Sequence, residues 1–319
     1  DILSRYSYEV ECPTCHGTRL RREALSVRVN GLNIEDFCNL SIERALAWVK
    51  ELSFTGRHAL IAEPLIKELT FRLGFMVNVG LEYLTLGRSM TTLSGGEAQR
   101  IRLASQLGSG LVGVTYVLDE PSIGLHPRDN ERLIRTLRSL QKRGNTVLVV
   151  EHEEATICEA DTVLEMGPGS GSQGGELVFA GTVKELIKNS DSLTARYLRG
   201  DLTIPVPETR RRSDKFLTLH GVTTNNLKNI DCAIPLGVLT CVTGVSGSGK
   251  SSLVIDTLYR RVARHCGLRT EQPGPMKGVE GLDQIERIVS IDQTPIGRTP
   301  RSNPATYTKV FDDIRKIFA

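Results

Sequence analysis

Residues Gly244, Val245, Ser246, Gly247, Ser248, Gly249, Lys250 and Ser251 constrain this chain more tightly than any other stretch. Two glycines five positions apart, with a Lys-Ser pair directly after the second, fit the pattern of a loop that closes around phosphate. Glycines let backbone N–H groups turn inward, the lysine reaches terminal phosphates, and the serine hydroxyl can hold Mg²⁺ at a helix N-terminus. The flanks agree. Residues 238–242 are an apolar run that predicts a strand, and residues 252–261, opening on Ser252, are helix-like. A flexible glycine-serine turn would need none of these to fall in step. Strand, glycine loop and helix in that order are a piece of an α/β fold, which is the fold class expected here.

A second α/β piece lies upstream. Residues 114–118 predict a strand, and a helix from about Asn130 to Lys142 turns Leu133, Ile134, Leu137 and Leu140 inward. Gly144 ends that helix, and residues 146–150 predict the next strand, which makes a parallel pair. The first strand runs out into Asp119 and Glu120, at the carboxyl edge where parallel sheets collect ligands. Asp119 is expected to position Mg²⁺ through water. Glu120 is the candidate general base toward an attacking water, since phosphoryl transfer needs chiefly positioning and charge stabilisation. His152, just after the second strand, is placed to meet a terminal phosphate. Residues 288–291 predict a further strand, and Gln293 beyond it is a candidate contact for Mg²⁺ and its water. Ser94, Gly95 and Gly96 precede the helix-like residues 100–107, so a hydroxyl and exposed amides make a second anion cradle. The stretch from Leu93 to Arg100 matches the LSGGQ-type signature of the ABC ATPase superfamily, which narrows the fold class to an ABC-type P-loop NTPase.

With 319 residues the chain has room for two domains. No run approaches the roughly 20 apolar residues that span a bilayer, which argues against a membrane-embedded role. The formal charge of +3 does not by itself point to a polyanion. Three arginine clusters could meet phosphates or simply face water: Arg19, Arg21 and Arg22; Arg210, Arg211 and Arg212; Arg260, Arg261 and Arg264. Seven cysteines, an odd number without secretory features, predict reduced thiols and a cytoplasmic protein. Cys12 and Cys15 form a C-x-x-C knuckle that supplies half of a tetrahedral zinc site. His16 and Cys38, or ligands outside the chain, would complete it; a pair of free thiols is the alternative. Pro205, Pro207 and the arginine triplet mark residues 201–214 as a linker.

A complete ABC module runs phosphate loop, Q-loop glutamine, signature, carboxylate strand, switch histidine. Here the last three come first. Residues 1–200 therefore read as the C-terminal part of one module and residues 215–319 as the N-terminal part of a second, in a chain that spans a tandem. A more specific resemblance rests on Cys12-Pro-Thr-Cys-His-Gly-Thr-Arg-Leu20 and on the strings at 77–85, 93–104, 117–126 and 296–305. These resemble the UvrA family, in family order, over nearly the whole chain. Glu97, where transporter signatures usually carry Gln, and the long segment at 298–306 set the chain apart from transporter ATPases. The resemblance implies two ABC modules using ATP, Mg²⁺ and Zn²⁺. It also implies a homodimer, without a membrane role, that samples damaged double-stranded DNA in nucleotide excision repair and loads UvrB. By the same resemblance Ser94, Gly95 and Gly96 approach the nucleotide held by Lys250. Asp119, Glu120 and His152 serve a different one, and neither site is complete in this chain. Two other readings stand beside it: a UvrA-like ATPase of drug resistance or transport, and a circularly permuted single module with Lys250 and Glu120 in one site.

Overall fold

The computed structural model describes residues 12–93, 95–107, 112–189, 192–291 and 303–318. It divides into two compact units. One holds the residues up to Arg211 together with Cys241–Lys250, and the other holds Arg212–Thr240 and the residues from Ser251 onward.

The first unit opens with four helices, α1 (Arg22–Ser26), α2 (Ile34–Cys38), α3 (Ile42–Glu51) and α4 (Arg57–Asn78). The Ser41 hydroxyl caps α3 by accepting from the Arg44 amide at 3.3 Å, and the helix then buries Ile42, Ala45 and Val49 on one stripe. Next come α5 (Gly95–Leu107), β1 (Thr115–Asp119), α6 (Pro127–Lys142) and β2 (Thr146–Val150). Strands β1 and β2 pair in parallel, from Thr115 opposite Thr146 to Asp119 opposite Val150, with α6 as the crossover. The predicted strand–helix–strand unit is therefore present. Its helix starts three residues early because the His126 ring nitrogen Nδ1 accepts from the Arg128 amide at 3.2 Å and Pro127 takes the first helical position. Leu133, Leu137 and Leu140 of α6 join Leu118 of β1, Leu103 of α5, and Leu73 and Phe75 of α4 in one core. Helix α7 (Glu154–Cys158) follows, then an antiparallel pair, β3 (Val163–Gly167) and β4 (Glu176–Gly181), and helices α8 (Val183–Lys188) and α9 (Leu193–Leu198).

In the second unit β5 (Phe216–Val222) lies between β6 (Ile230–Pro235) and β7 (Gly278–Glu280), antiparallel to both. A π-helix (Ser252–Tyr259) leads into α10 (Arg260–His265), and α11 (Pro304–Tyr307) and α12 (Val310–Phe318) come last. Residues 252–261 were expected to be a plain helix. The wider turn has a local cause, because the Thr257 hydroxyl donates to the Ser252 carbonyl five residues back at 2.7 Å and also meets the Thr224 hydroxyl at 2.8 Å. Two predicted strands do not form: residues 238–242 and 288–291 take no regular structure. A strand needs a ladder partner. Leu239 is 94% exposed and Ile291 93% exposed, and neither run is paired among the described residues. No described helix is long and apolar enough to cross a membrane.

Candidate nucleotide site

Strand β1 delivers Asp119 as its last residue and Glu120 immediately after it, at the carboxyl edge of the parallel pair. Glu120 turns there with φ +43, a left-handed conformation that a side chain disfavours and that persists because its surroundings hold it. Its amide donates to Val150 O at 2.9 Å, and its carbonyl accepts from Gln99 Nε2 on α5 at 3.1 Å. The same turn is clasped from β2. Glu151 accepts from the Ser122 amide at 2.9 Å, from the Ser122 hydroxyl at 2.8 Å and from the His152 amide at 3.2 Å. These bonds bring His152 Nε2 to 3.4 Å from Glu120 Oε1, with the imidazole largely in solvent. Asp119 is exposed beside them.

The glycine loop belongs to the same unit. Gly244, Gly247 and Gly249 have φ of +146, +74 and +98, backbone conformations that glycine adopts without cost and that let the loop turn tightly. Ser248 closes the loop by donating its amide to Val245 O at 3.2 Å. Lys250 folds over it, donating from Nζ to Gly244 O at 2.7 Å and to Val245 O at 2.9 Å. These residues fit a phosphate group by their chemistry: a tightly turned glycine loop, a lysine folded over it and a helix start directly after. Ser251 is the residue before the π-helix of the second unit, and Ser252, buried there, accepts from Asn225 Nδ2 at 2.9 Å.

Of the second cradle, Gly95 and Gly96 are the first residues of α5. Ser94 and Gln293 lie outside the described residues. Cys12 and Cys15 sit on a tight turn closed by the His16 amide on Cys12 O at 2.8 Å. The Cys12 thiol is held below its ordinary pKa by the amides of Cys15 and Thr14. That turn fits two of four zinc ligands, and among the described residues no third His, Cys, Asp or Glu joins it, His16 and Cys38 included.

Sequence reasoning did not single out Gln99, Glu151, Tyr83 or Asp129. Glu151 had a signal in its place next to His152. Gln99 and Asp129 act across 21 and 117 residues of sequence, and Tyr83 lies against a glycine far along the chain, so none of the three carries a local signal.

The fold defines a class. A parallel βαβ unit whose carboxyl edge carries Glu120 against His152, in a chain that also folds a phosphate loop, is an ABC-type α/β nucleotide-binding architecture. No family model matches the chain. It is 54% identical over 320 residues to UvrABC system protein A of Staphylococcus aureus (strain Mu50 / ATCC 700699), covering 100% of this chain and 34% of that protein. It is 56% identical over 318 residues to the protein of the same name from Methanothermobacter thermautotrophicus, covering 99% of this chain and 33% of that protein. The crystal structure of UvrA2 from Deinococcus radiodurans superposes with a TM-score of 0.85 at 45% identity, over 97% of this chain and 38% of that one. The chain belongs to the UvrA family, and it spans about a third of the length of the curated relatives it matches.

Proposed function

We propose that the chain carries parts of two ATP sites of a UvrA-type protein. Their nucleotide state gates recognition of damaged double-stranded DNA in nucleotide excision repair and the loading of UvrB by a homodimer. Residues 1–200 are the C-terminal part of the first ABC module, 201–214 the linker and 215–319 the N-terminal part of the second. The observation that carries the reading is the approach of His152 to Glu120 at the edge of a parallel strand pair, in a chain similar to UvrABC system protein A from end to end.

Bound Mg-ATP would supply the phosphoanhydride bond and the metal that neutralises its charge. Around it, Glu120 would accept the proton of the attacking water, His152 would contact the terminal phosphate and Asp119 would help to hold the metal. At the other site Lys250 leaves the two loop carbonyls for the terminal phosphates. Ser251 and Gln293 would hold the metal, and Ser94, Gly95 and Gly96 would supply amides and a hydroxyl to the nucleotide. Cys12 and Cys15 supply half of a zinc site completed by residues outside the chain.

The test is ATP turnover of the purified chain against its own concentration, with Lys250→Ala as control. Split sites predict no turnover, or turnover that climbs faster than linearly and disappears in Lys250→Ala. A rate strictly proportional to concentration would mean one self-contained site and overturn the two-module assignment. DNA affinity separates repair from a drug or transport role: binding through several phosphates weakens by about 10³-fold or more between 50 and 200 mM salt.

A further inference from the structure

Two contacts not used in the nucleotide reading fasten the loop Cys241–Lys250 within the first unit. Asp129, the third residue of α6 and 5% exposed, accepts from the Ser246 amide with Oδ2 at 3.2 Å. The ring of Tyr83 lies against Gly247, so closely that a Cβ there would stand 2.7 Å from it. Both contacts lead to α5. The Tyr83 hydroxyl donates to Glu97 Oε1 at 2.6 Å. Asp129 and the Arg100 guanidinium converge on Gly80, where an added Cβ would lie 3.4 Å from Arg100 and 3.5 Å from Asp129. Arg100 also donates to Gly80 O at 3.3 Å and to Gly96 O at 3.1 Å.

The charges are buried: Glu97 is 7% and Arg100 5% exposed, one turn apart on the helix that follows the signature serine. Buried ions persist where hydrogen bonds satisfy them, and breaking one such partner is costly, so the network has few alternative arrangements. Burial and the adjacent Glu97 carboxylate also push the Tyr83 hydroxyl up, so it remains a donor throughout the neutral range.

We propose that Asp129 and Tyr83 are positioning residues, a two-point latch that seats the phosphate loop on α5 and passes the loop's ligand state to the signature helix. The proposal rests on reading residues 244–251 as the nucleotide loop. An anion at the loop draws on the same Ser246 amide that Asp129 holds and brings negative charge toward its carboxylate. A change at Gly247 is then felt at Glu97 through the Tyr83 side chain, and a change at Ser246 reaches Arg100 through Asp129 and the Gly80 backbone that both flank.

Hydrogen exchange of the full chain, with and without Mg-ATP, tests this. In the unaltered chain ATP changes the exchange of residues 96–107. Asp129→Asn keeps an acceptor for the Ser246 amide and keeps that response. Asp129→Ala and Tyr83→Phe still bind ATP within about threefold but lose most of it. Either variant binding ATP with the full response at 96–107, or an unaltered chain that binds ATP without any, overturns the latch. If ATP does not bind, or binds equally to Lys250→Ala, the nucleotide reading of the loop fails instead. The latch is then decided without nucleotide, where Asp129→Ala speeds exchange at 244–249 about tenfold, the worth of one hydrogen bond to a charged group, and Asp129→Asn does not. Unchanged exchange in Asp129→Ala overturns it.

Discussion

Asn145 closes the base of the strand pair that carries the candidate site. Its Oδ1 accepts from the Val114 amide at 3.1 Å, just before β1, and its Nδ2 donates to Leu140 O at 3.0 Å, near the end of α6; the residue is 6% exposed. Asn145→Ala removes two hydrogen bonds and leaves the Val114 amide without its acceptor, while Leu140 O keeps the Arg143 amide at 3.1 Å. At about 1 kcal/mol per bond, with about 1–2 kcal/mol more for the desolvated amide left unpaired, the loss is about 2–4 kcal/mol. The sole tryptophan, Trp48, packs on Phe37 at 5.1 Å in the core of the first unit, so its fluorescence in urea reports that unit alone. A loss of this size lowers the midpoint by about 1–2 M with the slope unchanged. Asn145→Asp separates hydrogen bonding from shape. The carboxylate is nearly isosteric and keeps the Val114 bond, yet it sets an anionic oxygen against Leu140 O, so at pH 7 it costs at least as much as alanine. A nearly neutral Asp variant would refute the reasoning, because it would show that side-chain volume alone matters there.

Two further outcomes are expected. Glu165 of β3 is affected most by burial, which raises its pKa, but hydrogen bonds from Ser192 and Thr194 outweigh burial and leave it below the ordinary glutamate value. Its stabilisation is therefore present above the unfolded pKa of about 4.3 and lost as pH falls through the folded value; Glu165→Gln should remove the acid-side loss of amide protection over Leu193–Leu198. Equal acid sensitivity in the two proteins would exclude Glu165 as its source. Gly247→Ala must adopt φ +74 and meet the Tyr83 ring, so fluorescent ATP should bind about tenfold more weakly, and unaltered affinity would contradict the loop geometry.

What the sequence showed was local chemistry. Residues 146–150 form a strand as predicted, and residues 114–118 do so one position along, because apolar β-branched runs on either side of an amphipathic helix can pair with each other. The equally apolar residues 238–242 and 288–291 stay irregular, since periodicity says nothing about whether a partner strand lies alongside. The site divides in the same way. Glu120 and His152 were legible from their places after β1 and β2, and the structure sets them 3.4 Å apart. Of the residues that hold them, Glu151 is marked only by standing next to His152, while Gln99 satisfies a backbone carbonyl on another element, which leaves no mark in composition or spacing. The knuckle turn at Cys12 and Cys15 is likewise a four-residue affair, whereas the rest of a metal's coordination would come from distant chain.

The left-handed turn at Glu120 bears on how this position can vary over evolutionary time. Its backbone favours glycine, asparagine or aspartate, while the role proposed for it asks for a carboxylate that reaches the imidazole. Aspartate meets the first demand and falls about one carbon–carbon bond, 1.5 Å, short of the second. Glycine meets the first and abandons the second. Substitutions that ease the fold thus disable the edge, and those that keep the carboxylate at full reach keep the strain, so conformational relief and chemical competence lie on diverging mutational paths.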